Sequence, residues 1–393
     1  MIFEKIKLYP EREDVTLTAY ILDDSIEMQK GRRRPAVLIC PGGAYVTCSD
    51  REGEPVAMAF ASMGYHAFVL RYSVSGLAVY PSQMREIGMS ILKMRERADE
   101  WKLDPEKIIL CGFSAGGHNA AMYGNCWNRP IVTEALRADA SDLKPAAQIL
   151  GYPVCDYLGM KDNFGREMEA SAKLIFEQSA EALFGNREIT DELLREGSPS
   201  RNVSSSTPPT FLWSTCEDEL VPIRNSVMMA DALAQNGIPF EMHIFEKGGH
   251  GLSLSTQASA GNANEIRPDT DQWIRLADAW LMKRFSLFHD EPFREEQRNS
   301  SLLMMEGMEF PEGYYSVKDT LKDIMNNPKT RVLVQNISGA AAGPGEEMKM
   351  DSGIGKMMGW HPLYTLLEKA GSHISKEQVL NLNQKLNDVR KEL

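Results

Sequence analysis

Two short stretches of this chain hold side chains whose types and spacing suit acyl-transfer chemistry. The first, IILCGFSAGGH from Ile108 to His118, stops an apolar run at Gly112 and sets Ser114 among small residues. Gly112-Phe113-Ser114-Ala115-Gly116 reads G-x-S-x-G, with a strand signal before it and a helix signal after it. Such a turn reverses the chain within a few atoms and leaves a serine oxygen exposed on a strained backbone. The second stretch, GGHGLS, places His250 between Gly249 and Gly251.

A serine hydroxyl is a weak nucleophile until a base takes its proton, and the base needs an orienting acid. Of the seven histidines, His250 is the favoured base, because a core histidine has little need of glycines on both sides. His118 lies on the helix leaving the serine turn, where we expect a packing or supporting role. His243 lies within a strand and His66 begins one, while His289, His361 and His373 fall in or near the C-terminal region. The acid is expected between serine and histidine in chain order. FLWSTCEDELVP offers Glu217 and Asp218 there. Asp218 is favoured for its shorter carboxylate at the turn into a helix; Glu217 and Asp156 remain alternatives, each also explicable as a helix cap.

The tetrahedral intermediate of acyl transfer carries a negative oxygen that needs donors. CPGGAY ends an earlier strand, and Gly42 and Gly43 let the backbone approach a ligand closely. The N–H groups of Gly43, Ala44 and Ala115 are therefore the expected oxyanion hole. Tyr45 and Trp213 are candidates for the wall of a substrate pocket. No histidine pair has metal-ligand spacing, and neither a metal nor a cofactor is expected.

These groups need a scaffold that brings them together. FEKIKLYP and VTLTAYIL read as a hairpin. PAVLIC and YHAFVLRY read as strands buried on both faces. KIILCGF, PAAQILGYPV, PTFLWSTCED and FEMHIFEK continue the series, with helical stretches between them. One of these begins at Pro81, with Met84, Ile87, Ile91, Leu92 and Met94 along one stripe. The alternation predicts an α/β fold with a mostly parallel central sheet flanked by helices.

An insertion at about residues 156–207 interrupts the rhythm with helical pieces and is expected to cap the sheet edge. The alternation ends near Phe288, which suggests a catalytic domain over residues 1–288 and a small helical appendage over 289–393. In the appendage a serine cap and a stripe of Val317, Leu321 and Ile324 predict a helix. GIGKMM there lacks the Ser or Thr after lysine that a phosphate loop requires.

With 43 basic and 55 acidic side chains, the net charge of −12 opposes non-specific binding to nucleic acid or anionic membrane. The six cysteines form no CxxC pair, and several sit in or beside apolar runs, as in a reducing compartment. The charged opening MIFEKIKLYPEREDV and the lack of a membrane-length apolar run predict a cytoplasmic protein without a leader. Homo-oligomer formation stays open.

CPGGAY, GFSAGGH, CEDELVP and GGHGLS together resemble the esterase/lipase group of the α/β-hydrolases, most nearly small bacterial esterases and acetyl-xylan-esterase-like proteins. The resemblance covers roughly Met1 to Phe288. It implies Ser114 as nucleophile, Asp218 as acid, His250 as base, and Gly43, Ala44 and Ala115 as oxyanion donors. Ala44 stands where that group usually has a third glycine, which implies a tighter site. The implied activity is hydrolysis of a short-chain ester, with acetyl as the expected acyl group, of a small molecule or oligosaccharide through an acyl-enzyme. A serine peptidase or thioesterase on the same fold is the nearest alternative, and an inactive hydrolase-fold binding module is another.

Overall fold

A computed structural model describes residues 1–25, 32–165, 170–285, 305, 307–341, 359–369 and 375–391. The chain divides into two compact units, Met1–His289 and Asp290–Leu393.

The first unit is built on an eight-stranded sheet. Its strands are β1 (Ile2–Lys7), β2 (Thr16–Ile21), β3 (Arg34–Cys40), β4 (His66–Arg71), β5 (Leu103–Phe113), β6 (Ala147–Gly151), β7 (Thr210–Thr215) and β8 (Phe240–Phe245). Their order across the sheet is β1-β2-β4-β3-β5-β6-β7-β8. β1 and β2 pair antiparallel, as do β2 and β4; every pairing from β4 to β8 is parallel.

Every residue of β3 is buried, which explains why its sequence does not alternate apolar with polar. The period of two survives in the packing. Ala36, Leu38 and Cys40 join the core on one face, and Val37 and Ile39 join the core on the other. The helix Ser82–Glu96 covers the first face with Met84, Ile87, Ile91 and Met94. The helices Glu54–Ser62 and Trp273–Met282 cover the second with Phe60, Trp273, Ala277 and Leu281.

β5 is longer than its apolar run, because Leu103 pairs with Arg34 before a shift in register. At the other end the strands finish level: Cys40 pairs with Gly112, Phe113 with Gly151, and Gly151 with Trp213. Level carboxyl ends put the following loops on one edge of the sheet, where open α/β sheets bind ligands.

Between β6 and β7 the described residues hold helices and no strand: Tyr157–Lys161, Ala170–Phe184 and Asp191–Glu196, with short 3-10 turns. The second unit has its own core of Val317, Leu321, Ile324, Val334, Leu363, Leu367, Val379, Leu382 and Leu386. Its helix Leu321–Asn326 is capped by Thr320, not by Ser316, whose hydroxyl turns to Asp319 instead. Pro328, lacking an N–H, starts a separate helix, Pro328–Ala341. Gly353–Met358, the glycine-rich run beyond 341, His289, His373 and the expected boundary at Phe288 lie outside the described residues. Among the described residues no helix is long and apolar enough to cross a membrane.

Candidate active site

β5 ends at Phe113 and the helix Ser114–Cys126 begins at the next residue. Ser114 has φ of 52°, a left-handed backbone that non-glycine residues rarely hold and that costs about 1–3 kcal/mol. The tightness of the turn shows at Gly116. A Cβ there would lie 2.1 Å from the Cys40 carbonyl oxygen and 2.3 Å from that of Pro41, so the helix start crosses the end of β3 at backbone contact. Ala115 sits in the first turn of the helix, where an N–H has no intrahelical acceptor.

His250 and Asp218 reach this serine from the loops after β8 and β7. Nε2 of His250 lies 2.8 Å from Ser114 Oγ, and Nδ1 lies 2.7 Å from Asp218 Oδ2. An ionised carboxylate only accepts, so Nδ1 carries the proton and Nε2 turns its lone pair to the serine hydroxyl. Asp218 is held in turn: its Oδ1 accepts the N–H groups of Leu220 at 3.1 Å and Val221 at 2.8 Å. Burial pulls the His250 pKa down, but the charge and hydrogen bond of Asp218 and the charge of Glu52 outweigh it. The net shift is upward.

The loop after β3 curls back on itself. Val46 and Thr47 both donate to the Gly43 carbonyl, at 2.9 and 3.0 Å, and Ser49 donates to that of Gly42 at 2.9 Å. Gly43, Ala44 and Tyr45 all have positive φ, at 127°, 53° and 59°. Among the described residues the N–H groups of Gly43 and Ala44 donate to no backbone carbonyl. Gly43, Ala44, Ser114, Ala115 and His250 line one cavity of about 230 Å3. Its far wall comes from the insertion, through Tyr157, Met160, Ile175, Phe176 and Ser179. A serine hydroxyl, an imidazole held by a carboxylate, and backbone N–H groups thus border one partly enclosed space, an arrangement that acyl transfer could use.

Two expected pocket residues lie elsewhere. The side chain of Tyr45 is fully buried and its hydroxyl meets His118 Nδ1 at 2.6 Å. The positive φ at Ala44 and Tyr45 turns that ring from the cavity into the core. Trp213 is fully buried and stacks on Trp273 with ring centroids 5.0 Å apart. It belongs to the core because β7 is buried on both faces. The alternative acids are engaged elsewhere. Glu217 pairs with Lys247 at 2.8 Å on the surface. Asp156 pairs with Arg201 at 2.9 Å and caps the helix Tyr157–Lys161 by accepting the Gly159 N–H.

Glu52 was missed by sequence reasoning, though it lines the cavity with its carboxylate buried. It lies in the charged run SDREGE, which reads as a solvated turn; only its closeness to CPGGAY was a signal. Among the described residues no group of three or more His, Cys, Asp or Glu is placed to hold a metal ion.

Comparison with known proteins agrees with the fold. The BD-FAE family model matches residues 22–233. Endo-1,4-beta-xylanase B of Butyrivibrio fibrisolvens is 32% identical over 242 residues, which is 61% of this chain and 35% of that protein. The chain spans about half or less of the length of the curated relatives it matches. Among solved structures, the carboxylesterase Cest-2923 of Lactobacillus plantarum WCFS1 is 29% identical with a TM-score of 0.61, covering 72% of this chain and 98% of that one. The acetyl ester-xyloside bifunctional hydrolase of Caldicellulosiruptor lactoaceticus is 30% identical with a TM-score of 0.57, covering 71% and 96%.

Proposed function

Since this chain belongs to the BD-FAE family and is an α/β-hydrolase-fold esterase related to bacterial carboxylesterases and acetylxylan esterases, we propose that it cleaves short-chain carboxylic esters through a covalent intermediate on Ser114. Ser114 Oγ attacks the ester carbonyl carbon while His250 Nε2 takes its proton. The carbonyl electron pair moves onto oxygen, where the N–H groups of Gly43, Ala44 and Ala115 receive the charge. Asp218 holds the imidazole tautomer and stabilises its cationic form. The intermediate then collapses, the alcohol leaves with the proton from Nε2, and the acyl group stays on Ser114. Water deprotonated by the same nitrogen attacks the acyl carbon, releases the acid and restores the serine.

The observation that carries this reading is the pair of hydrogen bonds made by His250, 2.8 Å to Ser114 and 2.7 Å to Asp218. An acetyl or similarly short acyl group is favoured by the cavity of about 230 Å3 and by the methyl of Ala44 at its edge. A sugar alcohol is favoured by the likeness to an acetyl ester-xyloside bifunctional hydrolase. We therefore take acetylated xylo-oligosaccharides as the substrate class. Cytoplasmic location is supported by six free thiols, five of them buried.

A fluorophosphonate probe should label Ser114 in folded protein, and acetylated xylo-oligosaccharides should lose acetate faster than longer acyl esters of the same sugars. Absence of labelling would remove the serine mechanism, and preference for thioesters or peptide amides in the same panel would move the reaction class.

A further inference from the structure

The 3-10 turn Asp50–Glu52 follows the loop that carries Gly43 and Ala44. Glu52 on this turn is 4% exposed and forms part of the cavity wall. A carboxylate persists in such a place only when both oxygens are hydrogen-bonded. Oε2 accepts the N–H of Gly42 at 2.7 Å, and Oε1 accepts the hydroxyl of Tyr152 at 2.6 Å. The Tyr152 oxygen in turn accepts the N–H of Ser253 at 2.9 Å. Ser253 ends the short segment that begins at His250, and the Tyr152 ring meets the edge of the His250 ring at 5.1 Å.

A second tie runs beside the first. Ser253 Oγ donates to the Arg51 carbonyl at 2.7 Å, and the Arg51 guanidinium donates to the Gly251 carbonyl at 3.0 Å. The carboxylate also backs directly onto the serine turn. A Cβ on Gly42 would lie 2.8 Å from Glu52 Oε2 and 2.9 Å from Ser114 Cβ.

We propose that Glu52 is a positioning residue for the ester hydrolysis, its carboxylate fixing the oxyanion loop against the His250 loop through Gly42 and Tyr152. This rests on the serine mechanism proposed above. Burial raises the Glu52 pKa, against the hydrogen bonds of Tyr152 and Gly42 and the charges of His250 and Arg51, and an ionised carboxylate here works against the negative oxygen of the intermediate, so its presence points to geometry as its contribution. The groups facing Glu52 are His250, Arg51, Tyr152, Cys111 and Tyr72; Asp218 faces His250 from the other side. The Glu52 charge is one of those that favour the imidazolium of His250, which gives the position a pH signature that a purely structural residue would lack.

Two substitutions in the full chain separate the contributions. Glu52→Gln keeps an oxygen for Gly42 and removes the charge. Tyr152→Phe keeps the Glu52 side chain and removes the bridge to Ser253, together with a hydrogen bond that holds the Glu52 pKa down against burial. With p-nitrophenyl acetate, Tyr152→Phe should lower kcat by roughly tenfold to a hundredfold with little change in KM, as expected when reacting groups are misplaced by a fraction of an ångström. The acid limb in kcat/KM is the second readout. Glu52→Gln should move that limb to lower pH, because the imidazolium has lost a favourable anion. Fluorophosphonate labelling of Ser114 counts the folded sites in each variant. Wild-type kcat in both variants and an unmoved acid limb in Glu52→Gln, with Ser114→Ala inactive, would overturn this proposal alone. Turnover that survives Ser114→Ala would overturn the serine mechanism and this proposal with it.

Discussion

Tyr45 donates its hydroxyl hydrogen to Nδ1 of His118 across 2.6 Å, and both side chains are buried. The direction of that bond follows from the other nitrogen. Nε2 of His118 lies 2.7 Å from the Gly197 carbonyl, which only accepts, so Nε2 carries the proton and Nδ1 the lone pair. One imidazole on the helix Ser114–Cys126 thus joins the loop after β3 to the end of the insertion helix Asp191–Glu196. Burial depresses its pKa to about 4, against the opposing hydrogen bond to Gly197, so it stays neutral at ordinary pH.

Tyr45→Phe removes one oxygen and leaves Nδ1 of His118 buried without a donor. The expected cost is about 1–3 kcal/mol of stability. Because Tyr45 adjoins Ala44, esterase kcat should fall as well. Thermal denaturation beside acetate-ester kinetics checks both. A wild-type melting temperature would show that the bond contributes nothing net.

The same histidine makes stability depend on acid. Its folded pKa lies below its unfolded value near 6.5, so the unfolded chain binds the extra proton first as pH falls. The stability tied to neutral His118 is complete above about pH 6.5 and is lost progressively down to about pH 4. His66, also lowered to about 4 and mainly by burial, acts in the same direction. Denaturant midpoints between pH 7 and 4 should fall in wild type and fall less steeply in His118→Gln. Equal slopes would place the acid sensitivity elsewhere.

Catalysis has the opposite sign of shift. In the proposed mechanism His250 is a base only when neutral; burial lowers its pKa, and Asp218 and Glu52 raise it to a net upward shift. The acid limb of kcat/KM should therefore fall off at an apparent pKa above the ordinary imidazole value of about 6.5. Asp218→Asn removes the largest of the raising influences and unsettles the tautomer. It should shift the limb to lower pH while cutting kcat by roughly a thousandfold or more. A limb that stays in place in this variant would mean that another group titrates.

The legibility of this site in the sequence follows from how local each signal is. The turn at Ser114 was visible because strand, serine, small residues and helix lie in one short run of chain. The sheet was legible because buried parallel strands such as β3 are apolar on both faces. Side-chain direction was not. Tyr45 and Trp213 sit beside loops of the site, yet the positive φ after Gly43 and the depth of β7 send them into the core. Glu52 was hidden for the converse reason. Asp50 and Glu54 on either side are charged and exposed, and its own burial depends on Tyr152, a hundred positions away in sequence. The cap on the helix Leu321–Asn326 fell on Thr320 because the Ser316 hydroxyl turns to Asp319.

The insertion that borders the cavity makes a prediction about acyl length. Phe176 lies on the helix Ala170–Phe184, is 8% exposed and contributes to the cavity wall, with its ring 6.1 Å from that of Tyr157. Phe176→Ala would add the volume of a phenyl ring to a space of about 230 Å3. A pocket gains about 1–3 kcal/mol of discrimination per methylene it accepts or refuses. The ratio of kcat/KM for p-nitrophenyl hexanoate over acetate should therefore rise by roughly tenfold or more. Truncating a buried phenyl also costs stability, about 3–5 kcal/mol in a closed core and less beside an open cavity. Phe176→Leu gives a milder version of both effects. If the hexanoate-to-acetate ratio stays at its wild-type value in both variants while they remain folded, the acyl chain does not lie against this helix. The insertion would then border the alcohol side of the ester, and the same two variants should alter discrimination between sugar and simple-alcohol acetates.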